Sequence, residues 1–362
     1  MNGSKSGSED GSTDGGTIGI AVIGCGGIGH THARAAREIP GARLIGVSSR
    51  DEAKARKVAE LEACRFTTDP TTLFADPDVG LVSIATSSGS HASLALAAIA
   101  AGKHVLVEKP LAMTSDEARR VIAAAAERGR TLSVVSQRRF EETFRALGAA
   151  VAAGALGRLL LVEATCPYFR AQSYYDSAAW RGTIADDGGA LMNQGIHLVD
   201  LLLWLGGRAR RVTAQVATQV HRMEAEDIAA AVINLENGAL ATLLASTNLA
   251  PGFPHALNLY GDRGCVRTEG GVVTHWGIAD VAPPEAAPAA AGTASPGGAF
   301  WSLPQHRAQL ADVVAAIRER RAPAITAEDG LRAVALVEAV YRSAQRQLPV
   351  DLIDPDEAAP VP

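Results

Sequence analysis

Short apolar runs alternate with longer amphipathic segments along the first part of the chain. The apolar runs are typical of buried parallel strands, and the segments between them carry apolar residues at helical spacing. Strands are predicted at 18–23, 43–47, 79–85, 104–107 and 131–135, and helices at 31–38, 51–62, 91–101 and 115–128. Repeated strand–helix units of this kind predict an α/β Rossmann domain with a doubly wound parallel sheet over residues 18–138.

The pattern changes after residue 138. A helix at 141–153 is followed by longer alternating segments joined by short turns such as Glu236-Asn237-Gly238, as expected for antiparallel strands. Strands are predicted at 159–168, 211–219, 228–235, 239–247, 255–260 and 265–268, and further helices at 190–205, 303–321 and 327–345. We therefore expect a C-terminal α+β domain over residues 139–353, built on a large, mainly antiparallel open sheet.

Three stretches lack regular apolar spacing. Residues 1–17 are rich in Gly, Ser, Asp and Glu and lack the apolar region of a signal peptide, which predicts a disordered tail. Residues 279–299 are rich in Ala, Pro and Gly, which predicts a mobile loop. Residues 354–362 are predicted to form a second disordered tail.

Composition narrows the function classes. The chain has 362 residues, a net charge of −5 and no long basic run, so a small-molecule partner is expected rather than nucleic acid or a membrane. No apolar run is long enough to span a bilayer. The four cysteines lack the spacing of metal ligands, which predicts free thiols, a cytoplasmic location and no metal site.

A glycine-rich turn follows the first strand and leads directly into a helix. It has the form G-x-G-x-x-G, at Gly24-Cys25-Gly26-Gly27-Ile28-Gly29. Glycines in this pattern permit a tight turn, close approach of a pyrophosphate and close helix–strand packing, while the helix N-terminus attracts negative charge. The placement between strand and helix predicts a dinucleotide-binding site.

The second strand ends in Ser48-Ser49-Arg50, about where a dinucleotide fold meets the adenosine ribose. An enzyme that prefers NAD usually carries an acidic residue there. Ser49 and Arg50 instead suit a 2′-phosphate, so NADP is the expected cofactor and NAD remains possible. The alternatives are a helix-capping serine beside a solvated arginine, or Asp51 facing the ribose.

Lys109 follows the predicted strand 104–107 and precedes Pro110, which cannot continue a strand ladder. Ligands of open α/β sheets bind at this carboxyl edge, so an amine there is well placed for chemistry. Thr86-Ser87-Ser88 follows another strand, and its small hydroxyl groups would let a cofactor pass. The alternatives are a surface lysine and an ordinary polar loop.

Asn193 and His197 lie four residues apart in the predicted helix 190–205 and would therefore share one face. Upstream, Tyr174, Trp180 and Arg181 combine aromatic and cationic groups that suit the rim of a binding site. The alternatives are a structural histidine and a tyrosine-rich loop packed on a sheet.

Taken together, these motifs resemble the glucose–fructose oxidoreductase and inositol dehydrogenase family (Gfo/Idh/MocA). The resemblance covers nearly all of residues 18–352 and is carried by the segments 24–29, 86–91, G-K-H-V-L-V-E-K-P at 102–110 and G-G-A-L-M-N-Q-G-I-H-L-V-D-L-L at 188–202. It implies an active site between the two domains, a second domain that binds substrate and mediates oligomerisation, and dimers or tetramers packed through the open sheet face. Many family members carry an Asp where this chain has Asn193, a difference associated with members that resemble nucleotide-sugar 3-dehydrogenases.

From the motifs and the resemblance we expect the following site residues. The catalytic residues are Lys109, Asn193 and His197. The cofactor-binding residues are Gly24, Gly26, Gly27, Ile28, Gly29, Ser49, Arg50, Thr86, Ser87, His91, Glu108, Lys109, Gln137, Trp180 and Arg181. The substrate-binding residues are Lys109, Arg138, Tyr168, Tyr174, Asn193 and His197.

The expected reaction is reversible hydride transfer between a nicotinamide and a ring CH–OH group of a sugar, cyclitol or nucleotide sugar. His197 is the expected general base, Lys109 would polarise the same oxygen, and Asn193 can form hydrogen bonds but cannot take the proton. Two alternatives remain: a reductase for non-sugar carbonyl compounds, of the dihydrodiol or biliverdin type, and a cofactor-sensing protein without turnover.

Overall fold

The computed structural model describes residues 16–284 and 303–352. Residues 1–15 of the first predicted tail, all of the second predicted tail and most of the predicted mobile loop lie outside the described residues. The strands are β1 Ile18–Ile23, β2 Ala42–Ser48, β3 Arg65–Thr67, β4 Leu81–Ile84, β5 His104–Val107, β6 Leu132–Val134, β7 Leu159–Pro167, β8 Ala209–Ala217, β9 Ile228–Leu235, β10 Leu240–Ser246, β11 Ala256–Gly261, β12 Gly264–Glu269, β13 Val272–Ile278 and β14 Val350–Asp351. The α-helices are α1 Gly27–Glu38, α2 Glu52–Glu62, α3 Pro70–Phe74, α4 His91–Ala100, α5 Ser115–Glu127, α6 Glu142–Ala152, α7 Gln172–Asp176, α8 Ile196–Gly206, α9 Leu303–Glu319 and α10 Ala327–Arg346.

The first sheet has six parallel strands in the order β3-β2-β1-β4-β5-β6. Its inner strands β1, β4 and β5 are buried because helices cover both faces, whereas the edge strand β3 is partly exposed. The strand order reverses between β1 and β4, which places a crevice at their carboxyl ends. The predicted doubly wound α/β domain is therefore confirmed, although β3 and α3 were too short to show in the apolar pattern.

The second sheet has eight strands in the order β13-β12-β11-β7-β10-β9-β8-β14. All neighbouring pairs are antiparallel except β7 and β10. The apolar sides of α8 and α10 cover one face of this sheet, and the other face carries exposed apolar residues that include Val232 and Leu240. The predicted open, mainly antiparallel sheet is confirmed, with β13 and β14 as strands that the sequence pattern did not reveal.

Helix α9 packs on the first domain, whereas the sequence-based division places it in the second. Leu310, Val313 and Ile317 lie in one apolar cluster with Ile20 and Val22 of β1. The apolar stripe of α9 thus covers a part of the parallel sheet that α1 and α2 leave open. The boundary at residue 138 itself stays a prediction.

The predicted helix at 190–205 is not a uniform α-helix. It begins as a π-helical turn at Ala190–Gly195 and continues as α8. Asn193 lies in the π-helical turn and His197 in α8, so the pair spans the change from π- to α-helical spacing, and their shared face stays a prediction. No helix within the described residues is both long enough and apolar enough to cross a membrane.

Candidate active site

A cleft of about 1720 Å³ runs between the two sheets, from the carboxyl ends of β1, β2, β4 and β5 to the segment around Asn193. Nearly every residue predicted to bind cofactor or substrate lines this cleft. The two exceptions are Gly29 and His91. The sequence motifs, which lie far apart along the chain, therefore meet in one place.

The glycine turn forms one end of the cleft. Gly24 has a φ of +107°, and a Cβ there would lie 2.2 Å from the Ala85 carbonyl oxygen. A Cβ on Gly29 would lie 1.9 Å from the Gly24 carbonyl oxygen, so Gly29 serves the packing of the turn and does not face the cleft. A Cβ on Gly26 would meet nothing within 4 Å, and Gly26 precedes α1 without a side-chain cap. The amides at the start of α1 are thus accessible to a pyrophosphate.

His91 is buried beneath the cleft and does not line it. Its Nδ1 lies 2.7 Å from the Pro110 carbonyl oxygen and its Nε2 3.3 Å from that of Thr86. The imidazole therefore ties the Thr86 loop to the segment that carries Lys109. This structural role differs from the predicted contact with cofactor.

Asp51, and not a serine, caps α2 at the predicted ribose end. Its Oδ1 accepts a hydrogen bond from the Lys54 amide at 3.1 Å, and Ser49 Oγ accepts one from the Asp51 amide at 3.2 Å. Arg50 is exposed and lines the cleft together with Lys54. The alternative of a capping serine is wrong, and the Asp51 carboxylate is already engaged by the helix.

Lys109 stands at the end of β5 and points to the second domain. Its Nζ donates to the Asn193 carbonyl oxygen at 2.8 Å and to Asn193 Oδ1 at 3.2 Å. Burial lowers the pKa of Lys109 below its usual 10.5, while the charges of Glu108 and Asp187 act in the opposite direction.

Asp187 fixes the orientation of the Asn193 amide. Asn193 Nδ2 donates to Asp187 Oδ1, while Asp187 Oδ2 accepts from the Gly182 amide at 2.8 Å. Because the Nδ2 side faces the carboxylate, Oδ1 must face Lys109. Burial raises the pKa of Asp187, and this residue was missed as a site residue because its neighbour Asp186 looks equivalent in sequence.

His197 lies in the first turn of α8 and lines the cleft beside Asn193. Its pKa is lowered well below 6.5, chiefly by burial and further by the charges of Lys109 and Arg138. The imidazole is therefore neutral near pH 7 and able to accept a proton.

Glu108 anchors the backbone of Lys109. Its Oε1 lies 3.0 Å from His32 Nε2 and 3.6 Å from His306 Nε2, and its Oε2 accepts from the Lys109 amide at 3.1 Å. Burial alone would raise the pKa of Glu108, but the two histidines outweigh burial and hold it well below its usual value. No sequence signal joined His32 of α1 and His306 of α9. The ligand atoms of the three residues lie within 4.8 Å of one another, close enough to hold a metal ion, so the expectation of no metal site stays a prediction.

Tyr168 is oriented by the buried His255. Arg138 Nη1 donates to His255 Nε2 at 2.9 Å, so the remaining ring proton is on Nδ1, which lies 3.1 Å from Tyr168 Oη. His255 Nδ1 thus donates to the tyrosine oxygen. Burial, reinforced by Arg138, lowers the pKa of His255 well below 6.5 and keeps this arrangement neutral.

Glu226 supports the π-helical turn from below. Its Oε1 accepts from the Leu191 amide at 2.8 Å and from Tyr341 Oη at 3.1 Å. Burial raises the pKa of Glu226 to about 7. The turn that positions Asn193 therefore rests on a carboxyl group that titrates near neutral pH.

The cleft fits a nicotinamide dinucleotide. The open amides before α1 suit a pyrophosphate, as described above. Gln137 and Gln305 line the cleft, and their Oε1 atoms are buried and accept no hydrogen bond from any described residue. Two such acceptors suit the amide hydrogens of a carboxamide, which a nicotinamide carries.

Comparisons with known proteins identify the same two-part arrangement. Residues 18–136 match the family described as "Oxidoreductase family, NAD-binding Rossmann fold". Residues 144–267 match the GFO/IDH/MocA C-terminal domain, and residues 302–352 match the C-terminal alpha/beta domain of an oxidoreductase family.

Individual relatives are dehydrogenases. Inositol 2-dehydrogenase 2 of Saccharopolyspora erythraea is 32% identical over 254 residues, which are 68% of this chain and 72% of that protein. D-apiose dehydrogenase of Paraburkholderia graminis is 27% identical over 94% of this chain and 91% of its own length. The crystal structure of the WlbA dehydrogenase from Bordetella pertussis, in complex with NADH and UDP-GlcNAcA, has a TM-score of 0.83 and 29% identity, covering 93% of this chain and 99% of that one.

Proposed function

The chain belongs to the Gfo/Idh/MocA family of oxidoreductases, and on that premise we propose that Lys109, Asn193 and His197 carry out its chemistry at one ring CH–OH group. It is an NAD(P)-dependent dehydrogenase of the sugar and cyclitol class. The observation that carries the proposal for these three residues is their meeting at the end of the cleft beside β5.

The three residues divide the work at one oxygen. A bound nicotinamide supplies a hydride acceptor or donor at its C4. His197 is neutral and takes the hydroxyl proton during oxidation, and it returns that proton during reduction. Lys109 donates a hydrogen bond to the same oxygen and stabilises the negative charge that develops there. Asn193 holds the Lys109 amine in place and has no proton to exchange.

A spectrophotometric screen tests this function. Purified protein with NADP or NAD is offered sugars, cyclitols, uronates and nucleotide sugars, and reduced cofactor is followed at its absorbance maximum. Turnover of a carbohydrate that is abolished by Lys109→Met supports the proposal. A protein that binds cofactor tightly but oxidises or reduces no carbohydrate would favour the non-catalytic alternative.

NADP is the proposed cofactor. Arg50 is exposed at the cleft end nearest α2, with Ser49 and Lys54 beside it. The Asp51 carboxylate caps α2 and also pairs with Lys54, whose Nζ lies 3.2 Å from it. A 2′-phosphate would therefore meet a guanidinium and an ammonium group, which favours NADP over NAD.

A homodimer or homotetramer is the proposed assembly, formed through the open face of the second sheet. That face exposes half of the Val232 side chain and 45% of Leu240 on adjacent strands β9 and β10. Neighbouring exposed apolar residues are common in interfaces. We further propose a cytoplasmic location, since the four cysteines are free thiols.

A further inference from the structure

We infer that the substrate carries an anionic group, a carboxylate or a phosphate, and that Arg170 binds it. The inference rests on the proposed function and narrows it, because it separates acidic sugars and sugar phosphates from neutral sugars and cyclitols. The residue follows β7 and was not among the predicted site residues.

Arg170 lines the cleft without an opposing carboxylate. Its Nη1 donates to the Phe169 carbonyl oxygen at 3.1 Å and its Nη2 to Gln194 Oε1 at 3.1 Å. Both acceptors are neutral, and no carboxylate of the described chain forms an ion pair with this guanidinium. Arg138 of the same cleft differs, since it lies 3.2 Å from Glu141 Oε1. A half-buried cation without a counter-charge is costly unless an anion joins it.

The guanidinium keeps donors for a ligand. Five N–H groups are present in an arginine side chain, and only two of those on Arg170 are used within the described residues. Its position is fixed by Tyr168 and Tyr174, whose ring centroids lie 5.7 Å and 5.6 Å from its central carbon. A planar, pre-positioned fork with free donors is the geometry that binds a carboxylate or phosphate through two oxygens.

Arg170 also lies close to the reacting group. Gln194, which accepts from Arg170, donates through its Nε2 to Asn193 Oδ1 at 3.3 Å, and that oxygen is 3.2 Å from Lys109 Nζ. Hydrogen bonds between side chains thus connect the Arg170 guanidinium to the Lys109 amine. A substrate whose hydroxyl is at Lys109 would present a nearby substituent to Arg170.

The carboxylates around this part of the cleft do not cancel the charge. Asp187 is bonded to Asn193 and Gly182, Glu141 faces Arg138, and Glu108 is held by two histidines. Each of these carboxylates is bonded to groups other than Arg170, which leaves the guanidinium without a counter-charge.

A paired substrate panel tests the inference. The probes are D-glucose against D-glucuronate for the carboxylate, and D-glucose against UDP-glucose for the phosphate. Two quantities are measured for each probe. One is kcat/KM for its oxidation, and the other is the dissociation constant of the probe from the enzyme–NADPH complex, followed by nicotinamide fluorescence. We expect at least one anionic probe to have a kcat/KM at least tenfold higher than that of glucose, or a dissociation constant at least tenfold lower, and which probe does so identifies the source of the charge.

Substitution then assigns the effect to one residue. Arg170→Gln should remove most of the anion preference by raising KM and the dissociation constant, with a smaller effect on kcat. Arg158→Gln is the matched control, because Arg158 is exposed and lies outside the cleft. Equal or better use of glucose by the unmutated protein, or an anion preference that survives Arg170→Gln, overturns the inference and leaves the proposed function standing. Cofactor binding with neither binding nor turnover of any carbohydrate overturns both.

Discussion

Replacing Asp187 with Asn removes the carboxylate that holds the Asn193 amide in one orientation. In the unmutated protein, Asn193 Nδ2 donates to Asp187, so Oδ1 accepts from Lys109 at 3.2 Å. With a neutral amide at 187, Asn193 can turn its Nδ2 toward the Lys109 amine, where two donors would face each other. The Lys109 charge also loses an opposing carboxylate, so its already lowered pKa falls further.

The size of the effect follows from the bond that is lost. A hydrogen bond to a charged group contributes about 1.5–3 kcal/mol, which corresponds to a loss of roughly 10- to 150-fold in turnover. Asp187 lies beside the substrate-binding machinery without a proposed contact to the reacting oxygen. Asp187→Asn should therefore lower kcat within this range, shift the alkaline limb of the pH profile downward with the Lys109 pKa, and leave the cofactor dissociation constant nearly unchanged.

The double variant that exchanges the two residues is the decisive comparison. Asp187→Asn with Asn193→Asp restores one amide and one carboxylate and places the carboxylate beside Lys109. Steady-state kinetics should show recovery of at least tenfold over Asp187→Asn alone, and Asn193→Asp alone should be milder than Asp187→Asn. The reasoning is refuted if Asp187→Asn keeps full turnover, or if the exchange lowers activity further.

Four other measurements follow from the same structure. Lys109→Met should lower turnover more than ~100-fold with nearly unchanged cofactor affinity, since the amine contacts the reacting oxygen; near-normal turnover would remove it from the mechanism. His197→Ala should depress oxidation strongly and abolish the acidic limb of its pH profile, which in the unmutated protein lies below pH 6.5 because burial lowers the pKa of this histidine; an unchanged profile would assign the proton to another group. Arg50→Ala should erase an NADP preference of about tenfold or more, whereas Arg56→Ala, outside the cleft, should keep it; equal dissociation constants for both cofactors in the unmutated protein would contradict the assignment. Burial raises the pKa of Glu226 from 4.5 to about 7, so the free energy of unfolding falls as pH rises through this interval. Glu226→Gln should remove this fall, which amounts to up to about 3 kcal/mol between pH 4 and pH 8 in chemical denaturation. Equal pH dependence of the two proteins would show that the carboxyl group is not the cause.

The spacing of apolar residues predicted the main helices and strands, because the apolar side of each of these elements faces a core. The strand at 228–235 is predicted to the residue, since its side chains alternate between buried and exposed along the whole length. The strands at 65–67 and 350–351 are too short for any period to show. The π-helical turn at 190–195 did not show in the apolar pattern, and Glu226, which accepts from the Leu191 amide within it, lies more than thirty residues away in sequence.

Some site residues belong to motifs that are visible in the sequence, and others are revealed only by contacts in the folded chain. Motifs with local spacing, such as the glycine turn and the segment ending in Lys109, line the cleft that the structure shows. His255 and Arg170 were missed because their roles depend on contacts between segments that are distant in sequence. Arg170 in particular has no carboxylate partner within the described residues, which a sequence alone does not reveal.

Because α9 packs on the first domain, that domain is built from two separate segments of the chain. The nucleotide-binding half of this chain is not contiguous, because Leu310, Val313 and Ile317 complete its apolar layer and His306 contacts Glu108. A fragment ending near residue 138 would expose that layer to water and remove one neighbour of the Glu108 carboxylate. Exchange of cofactor domains between relatives by a single crossover would therefore fail here, and a transplant would need to carry both the first segment and α9.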